Sequence, residues 1–418
     1  MASIQRNKKK IINDPVFGFI NIQSDLVFDL LEHPYFQRLR RIKQLGLSFL
    51  VFPGANHTRF EHTLGTVYLM SQAISVLRLK GHEITDEEAD AVTLAILLHD
   101  IGHGPFSHVL ENALVGIPHE EISLLLMQEL NGEFDNQLEM AGLIFQNKYP
   151  KKFLHQLVSS QLDMDRLDYL VRDSFFTGVA EGVVGIDRII KMLDVWNDQL
   201  VVESKGIYSI EKFLIARRLM YWQVYLHKTV LAADKILINI LKRARELGLS
   251  GQTVFATPSF RVFLERNFTL DDFRNNLQVE GKPLIRHFAS LDDTDILASV
   301  KAWENHPDKI LSLLAKALTN RKLFAAKIAE RPFSATRIAA VQKEVCRFFG
   351  VSKAEASYLF MHGEVSNRAY SEQNDHILIL GKSGKTKDIR QASDIDLSAL
   401  SKTVRKFYLC YPKELVFN

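Results

Sequence analysis

The residues with the most chemistry to offer are His62, the pair His99-Asp100, and one of Asp163, Asp165 and Asp168, among which spacing does not choose. His99-Asp100 ends an apolar run, Ala95-Ile96-Leu97-Leu98. Imidazoles and a carboxylate at the end of a buried helix are costly to desolvate unless something binds them. A cation is the economical explanation. Two imidazoles with two carboxylates suit a divalent transition ion such as Mn, Fe, Co, Ni or Zn, with positions left open for water and substrate oxygens. An ion held in this way polarises a phosphoryl oxygen and lowers the pKa of bound water. Histidines 57, 62, 82, 99, 103, 108 and 119 are seven of the fourteen in the chain. An even scatter would put about two in that stretch, and histidine is the commonest metal ligand.

Helices must position these groups. Leu30–Leu45 reads as a helix with Phe36, Leu39, Ile42 and Leu45 on one face and Arg38, Arg40, Arg41 and Lys43 on a solvated one. A second helix runs from near His57 to Leu79, and a third opens with the capping box Thr85…Glu88 and ends at His99-Asp100. Further helices are expected from Pro118 through Leu130, over 153–179, and from Ile210 to Leu247. A hairpin is expected within 11–28, and two short strands within 201–209 around a Lys205-Gly206 turn. Alternating segments at 375–380, 387–389 and 406–411 mark strands near the C-terminus. The expected fold class is mainly α, a helical core with small β hairpins and a smaller C-terminal α+β lobe. Four regions follow: 1–50, an N-terminal segment with a helix, belonging to the core; 51–250, the core that carries the histidine cluster; 251–330, a helical extension; and 331–418, the α+β lobe.

Composition narrows the class. The 418 residues, 47% hydrophobic and 24% charged, suffice for a large core in two or three lobes. With 52 basic and 49 acidic residues, there is no global attraction to nucleic acid. The lysines and arginine of the tail (Lys382, Lys385, Lys387, Lys402, Arg405, Lys406) read as a solvated edge. Cys346 and Cys410 form no metal-type spacing and fit a reducing compartment. No run approaches the roughly 18 apolar residues of a membrane span, and no apolar segment follows the basic N-terminus. A cytoplasmic location is expected.

In order along the chain come Ile12-Asn13-Asp14-Pro15, Phe36-Gln37-Arg38-Leu39-Arg40, Ile42-Lys43-Gln44-Leu45-Gly46, Val51-Phe52-Pro53-Gly54-Ala55 and Arg59-Phe60-Glu61-His62. His99-Asp100-Ile101-Gly102-His103-Gly104-Pro105-Phe106-Ser107-His108, Asp165-Arg166-Leu167-Asp168-Tyr169, Arg172-Asp173 and Tyr225-Leu226-His227-Lys228 follow. This succession resembles the HD-domain metal-dependent phosphohydrolases and, within them, the deoxynucleoside triphosphate triphosphohydrolases. It covers about residues 11–230; the C-terminal third departs from the family, and the SAM domain of vertebrate members has no counterpart here.

The resemblance implies Asp165 as the fourth ligand beside His62, His99 and Asp100. It implies one divalent ion per subunit, Mg included, with a further Mg accompanying the nucleotide. Arg59, Arg166 and Arg217 fall at triphosphate-contact positions, Arg166 standing where vertebrate members carry lysine. His103 and His108 fall beside the α-phosphate, His108 as general acid, with His119 and Glu111 tuning it; Glu111 replaces an aspartate. Gln44 and Asp173 fall where the 3′-hydroxyl is read, Tyr169 and Tyr225 around the sugar. Asn13, Gln37 and Arg40 fall at a regulatory nucleotide site between subunits, which implies an activating nucleotide and a homo-dimer or tetramer. The implied reaction takes a dNTP to deoxynucleoside and inorganic triphosphate. Two other readings stand beside it: the same site acting on another phosphoester, such as a cyclic nucleotide or alarmone, and a non-catalytic nucleotide- or nucleic-acid-binding regulator.

Overall fold

In the computed structural model, residues 10–22, 24–371 and 376–415 are described. The fold is mainly helical with small sheets. Its centre is a trio of helices, Arg59–Leu79, Asp86–Leu98 and Met164–Thr177, the first packed against both others. The capping box expected at Thr85-Glu88 forms, and a second one, not foreseen, opens the helix before it. Thr58 donates its main-chain N–H to Glu61 at 2.5 Å, and Thr85 exchanges bonds with Glu88 at 2.9 and 3.1 Å. Gly65 permits the close crossing: a Cβ there would lie 1.8 Å from Asp168 Oδ1.

Several helices are shorter than expected, each for a local reason. The span 30–45 breaks into a helix Asp25–Glu32, a turn Pro34–Gln37 and a 3₁₀ turn Arg38–Arg41. His33 is extended, as a residue before proline prefers to be. Arg38 is not solvated. It is 1% exposed and donates to the carbonyls of Ile101 and Leu291 at 2.6 and 3.0 Å. The span 153–179 is two helices, Lys152–Val158 and Met164–Thr177, because Asp163 caps the second by accepting from Arg166 N and Ser160 N at 2.7 Å each. The long helix expected over 210–247 is likewise divided, into Ile207–Met220 and Lys228–Leu249, by a wide turn at Tyr221–Tyr225.

The strands also shift. The N-terminal hairpin pairs Lys10–Asp14 with Gly18–Ile22. The second hairpin is not around Lys205-Gly206 but pairs Leu193–Trp196 with Gln199–Glu203. Its turn residues Asn197 and Asp198 both take positive φ, 50° and 60°, a geometry Asn and Asp tolerate. Leu378–Leu380 joins this hairpin in parallel, with Thr386–Asp388 beyond it. Ala325–Ala329 and Met361–Asn367 flank Val404–Tyr411 in a second sheet. Segments on either side of residue 330 therefore share a sheet, and the C-terminal strands extend a sheet begun in the core. No helix among the described residues is long and apolar enough to cross a membrane.

Candidate active site

Three helix ends converge on one point. His62 lies in the first turn of Arg59–Leu79, Asp165 in the first turn of Met164–Thr177, and His99-Asp100 directly follows Asp86–Leu98. His62 Nε2 lies 3.1 Å from Asp165 Oδ1 and 3.7 Å from Asp100 Oδ2. His99 Nε2 lies 3.4 Å from Asp100 Oδ1 and 3.6 Å from Asp165 Oδ1. Each imidazole is oriented by its other nitrogen. His99 Nδ1–H donates to the Ile96 carbonyl and His62 Nδ1–H to Asp168 Oδ2, each at 2.6 Å. A carbonyl or carboxylate can only accept, so Nδ1 carries the hydrogen in each of these bonds and Nε2 is the nitrogen left facing the site, open to a proton or to a cation. Both Nε2 atoms are buried and lack a hydrogen-bond partner among the described residues.

Imidazole nitrogens and carboxylate oxygens facing one another call for positive charge between them. Burial works against charge on His62, yet Asp165 and Asp168 outweigh it and push the imidazole up to about 10. His99 is raised against its burial by Asp100 and Asp165. Burial likewise opposes charge on the acids. Asp100 is nevertheless held well below the usual carboxylate range by Arg59, His99 and His103, and Asp165 is held low by His62 and His99. A divalent transition ion fits this donor set. Behind it runs a buried chain: Asp168 accepts from Arg172 Nε and NH2 at 2.9 Å, and Arg172 NH1 donates to Asp14 at 2.7 Å.

A second group adjoins Asp100. His103 Nε2 lies 3.3 Å from Asp100 Oδ1, and the His103 ring stacks on His119 with centroids 3.7 Å apart. His119 Nδ1 lies 2.9 Å from Glu111 Oε1. Burial and the Arg59 guanidinium hold His103 well below the ordinary imidazole value. His108 opens the helical turn His108–Leu110; its side chain lies outside the described residues.

Beside Arg59 opens a cavity of about 370 Å³ whose walls include Gln44, Tyr169, Asp173 and Tyr225. Asp173 accepts from His57 Nε2–H and from the Tyr225 hydroxyl, each at 2.8 Å. Of the three arginines expected at a polyphosphate, Arg59 pairs with Asp100 and donates to Ser107 Oγ through Nε and NH2 at 3.1 and 2.6 Å, and Arg166 pairs with Asp163. Arg217 has buried Nε and NH1 atoms without a partner among the described residues, and its charge acts on Tyr169. Asn13, Gln37 and Arg40 lie elsewhere: Asn13 is exposed in the hairpin, while Arg40 donates to Gln37 at 2.8 Å and sits 3.5 Å from the Phe60 ring centroid.

Residues 59–173 match the HD domain family and residues 184–257 the HD associated region. The chain is 53% identical to a phosphohydrolase from Bacteroides thetaiotaomicron, whose crystal structure aligns with a TM-score of 0.92 over 96% of this chain and 99% of that one. It is 32% identical to the Bacillus subtilis protein YwfO over 98% of this chain and 94% of that one. The chain belongs to the HD-domain phosphohydrolases. The human deoxynucleoside triphosphate triphosphohydrolase SAMHD1 is 28% identical over 78% of this chain, which spans 62% of that relative's length.

In this HD-domain phosphohydrolase some residues at the site had a weak signal in the sequence or none. His57 belongs to the histidine cluster but stood apart from the ligand pattern, and it is fully buried against Asp173 and stacked on Phe176 at 4.5 Å. Asp168 shared its spacing with Asp165, and only the fold shows that it stands behind His62 rather than beside it. Tyr221, Phe106 and Ser107 complete the cavity wall, and nothing in their spacing marked them.

Proposed function

We propose that this HD-domain phosphohydrolase cleaves deoxynucleoside triphosphates at the α-phosphorus, releasing deoxynucleoside and inorganic triphosphate. The observation that carries the reading is the cavity beside Arg59, in which a carboxylate already held by an imidazole and a phenol shares the walls with Arg59 and with Tyr169, the ring on which the Arg217 charge acts. A carboxylate has about four lone-pair sites; His57 and Tyr225 use two, which leaves Asp173 able to accept a sugar hydroxyl. Gln44, whose buried Oε1 lacks a partner among the described residues, complements it. Tyr169 and Tyr225, with ring centroids 6.2 Å apart, bound the sugar, where a ring edge leaves no space for a 2′-hydroxyl. Arg217 and Arg166 supply guanidinium for the polyphosphate, which accepts bidentate donors well.

His62, His99, Asp100 and Asp165 would hold the divalent ion. When bound, it supplies Lewis acidity toward the phosphoryl group and lowers the pKa of water. The remaining work falls to the chain. A water oxygen adds to the α-phosphorus, the bond from phosphorus to O5′ breaks, and O5′ takes a proton while the water gives one up. We assign the proton delivered to O5′ to His108, with His103, His119 and Glu111 ordering that side of the site. An activating nucleotide at Asn13, Gln37 and Arg40 of a homo-oligomer belongs to the same reading.

The test incubates the metal-loaded protein with each dNTP, alone and with other nucleotides as effectors, and separates products by anion exchange. Deoxynucleoside and triphosphate in equal amounts are expected. Intact dNTPs with metal bound, or release of pyrophosphate or monophosphate instead, overturn the reading.

A further inference from the structure

The segment Leu291–Asp293 belongs to the region expected to be a helical extension, yet it bonds to both walls of the nucleotide cavity. Asp293 is 4% exposed and spends both carboxylate oxygens on main-chain donors. Oδ2 accepts from Lys43 N and Oδ1 from Phe106 N, each at 2.9 Å. Lys43 leads directly into Gln44, whose own N–H donates to the His57 carbonyl at 3.0 Å. Phe106 leads into Ser107, whose hydroxyl holds Arg59. Phe106 and Ser107 are consecutive non-glycine residues at φ 51° and 50°. Such a pair persists only where its surroundings over-determine it.

Asp293 supplies that constraint, and its neighbours reinforce it. Arg38 ties the Leu291 carbonyl to that of Ile101, just after the HD pair, and Arg41 pairs with Asp292 at 2.5 Å. We propose that Asp293 is a positioning residue for substrate binding: it clamps the Lys43-Gln44 and Phe106-Ser107 segments in register, and so aims Gln44 and, through Ser107, Arg59 at the nucleotide. This inference rests on the nucleotide reading of the cavity.

The experiment compares Asp293→Ala and Asp293→Asn with Asp308→Ala, a change at a remote helix cap. Misplacement of binding groups raises KM. Asp293→Ala should raise the dNTP KM by about tenfold or more, with kcat within about threefold and metal content unchanged. Asp293→Asn should fall between, because its amide oxygen can serve one N–H while its NH2 faces the other; it also keeps the test alive if the alanine variant fails to fold. Asp308→Ala should lower Tm without moving KM. An unchanged KM in a folded Asp293 variant overturns the inference. Hydrogen exchange supplies a substrate-free arm: the peptides holding Gln44 and Phe106-Ser107 should exchange faster in both Asp293 variants and not in Asp308→Ala, and equal rates refute the clamp. A wild-type protein that leaves every dNTP intact refutes the proposed reaction, and the exchange arm then decides the clamp alone.

Discussion

Replacing Asp168 by asparagine tests whether the carboxylate behind His62 exists to make it a ligand. Asp168 Oδ2 takes the His62 Nδ1–H at 2.6 Å, which keeps Nε2 turned into the site. Asparagine nearly preserves the shape and removes the charge. Its NH2, turned toward Nδ1, would shift the imidazole proton to Nε2, where it blocks a cation. Losing the hydrogen-bond partner of a ligating histidine typically costs about 10–100-fold in metal affinity, or about 1.4–2.8 kcal/mol. The structural cost is limited because Arg172, although fully buried, keeps Asp14 at 2.7 Å. Leaving a buried charge wholly unpaired costs about 3–5 kcal/mol; with one partner retained, about 2 kcal/mol is expected. Calorimetric titration of Mn²⁺ into metal-free protein gives the first quantity and denaturant unfolding the second. Mn²⁺ affinity within twofold of the native value, in a folded variant, refutes the role given to Asp168.

Four further outcomes are expected. Gly65→Ala should place a Cβ 1.8 Å from Asp168 Oδ1 and 2.3 Å from Arg172 NH2, costing about 1–3 kcal/mol or more in denaturant unfolding and weakening Mn²⁺ binding with it. Because His62 is pushed up to about 10 and His99 is raised as well, a cation entering the site at pH 8 should displace at least one proton; titrations in buffers of different ionisation enthalpy count it, and zero release contradicts the site's electrostatics. Arg217→Ala removes a charged donor worth about 1.5–3 kcal/mol, so the dNTP KM should rise by an order of magnitude or more while metal affinity stays constant. Asp293 is pushed up to about 6 by burial and Asp292, against the two main-chain bonds and Lys43, from an ordinary 3.8. The folded chain binds that proton more tightly, so this contribution to stability is full below about pH 4 and lost as pH rises through about 6. The difference in unfolding free energy between wild type and Asp293→Asn should therefore drop by about 2 kcal/mol from pH 4 to 7.

The convergence of His62, His99, Asp100 and Asp165 was foreshadowed because metal chemistry limits residue types, and because His99-Asp100 interrupts an apolar run in a way ordinary packing does not explain. One helix start was legible because its side chain closes a bond three residues on, at Thr85-Glu88; the same device at Thr58-Glu61 and Asp292-Asp295 went unread. What stayed hidden depends on contacts distant in sequence. Arg38 lies on a basic stretch that looks solvated, and only the approach of Leu291, 253 residues away, buries it. Asp293 is one acid in a helix start, indistinguishable from Asp292 or Asp295 until Lys43 and Phe106 arrive. Helix interruptions at Ser159–Asp163 and Leu226-His227 were also missed, since hydrophobic period runs through both.

The position of the HD pair at a helix end, rather than within a helix, has its own physical reason. The last carbonyls of a helix lack intrahelical donors, and His99 satisfies one of them by donating Nδ1–H to Ile96. That bond closes a helix end and also fixes the tautomer that leaves Nε2 open. The C-terminal pole of Asp86–Leu98 carries partial negative charge toward the same point, which favours a cation there. His62 and Asp165 sit in first turns, whose positive poles favour the carboxylates of Asp165 and Asp100 remaining ionised. Moving the pair one turn earlier into Asp86–Leu98 would keep every side chain and lose all of this: the Ile96 bond, the favourable pole and the convergence on His62. The residue types alone do not make the site; their place at helix ends does.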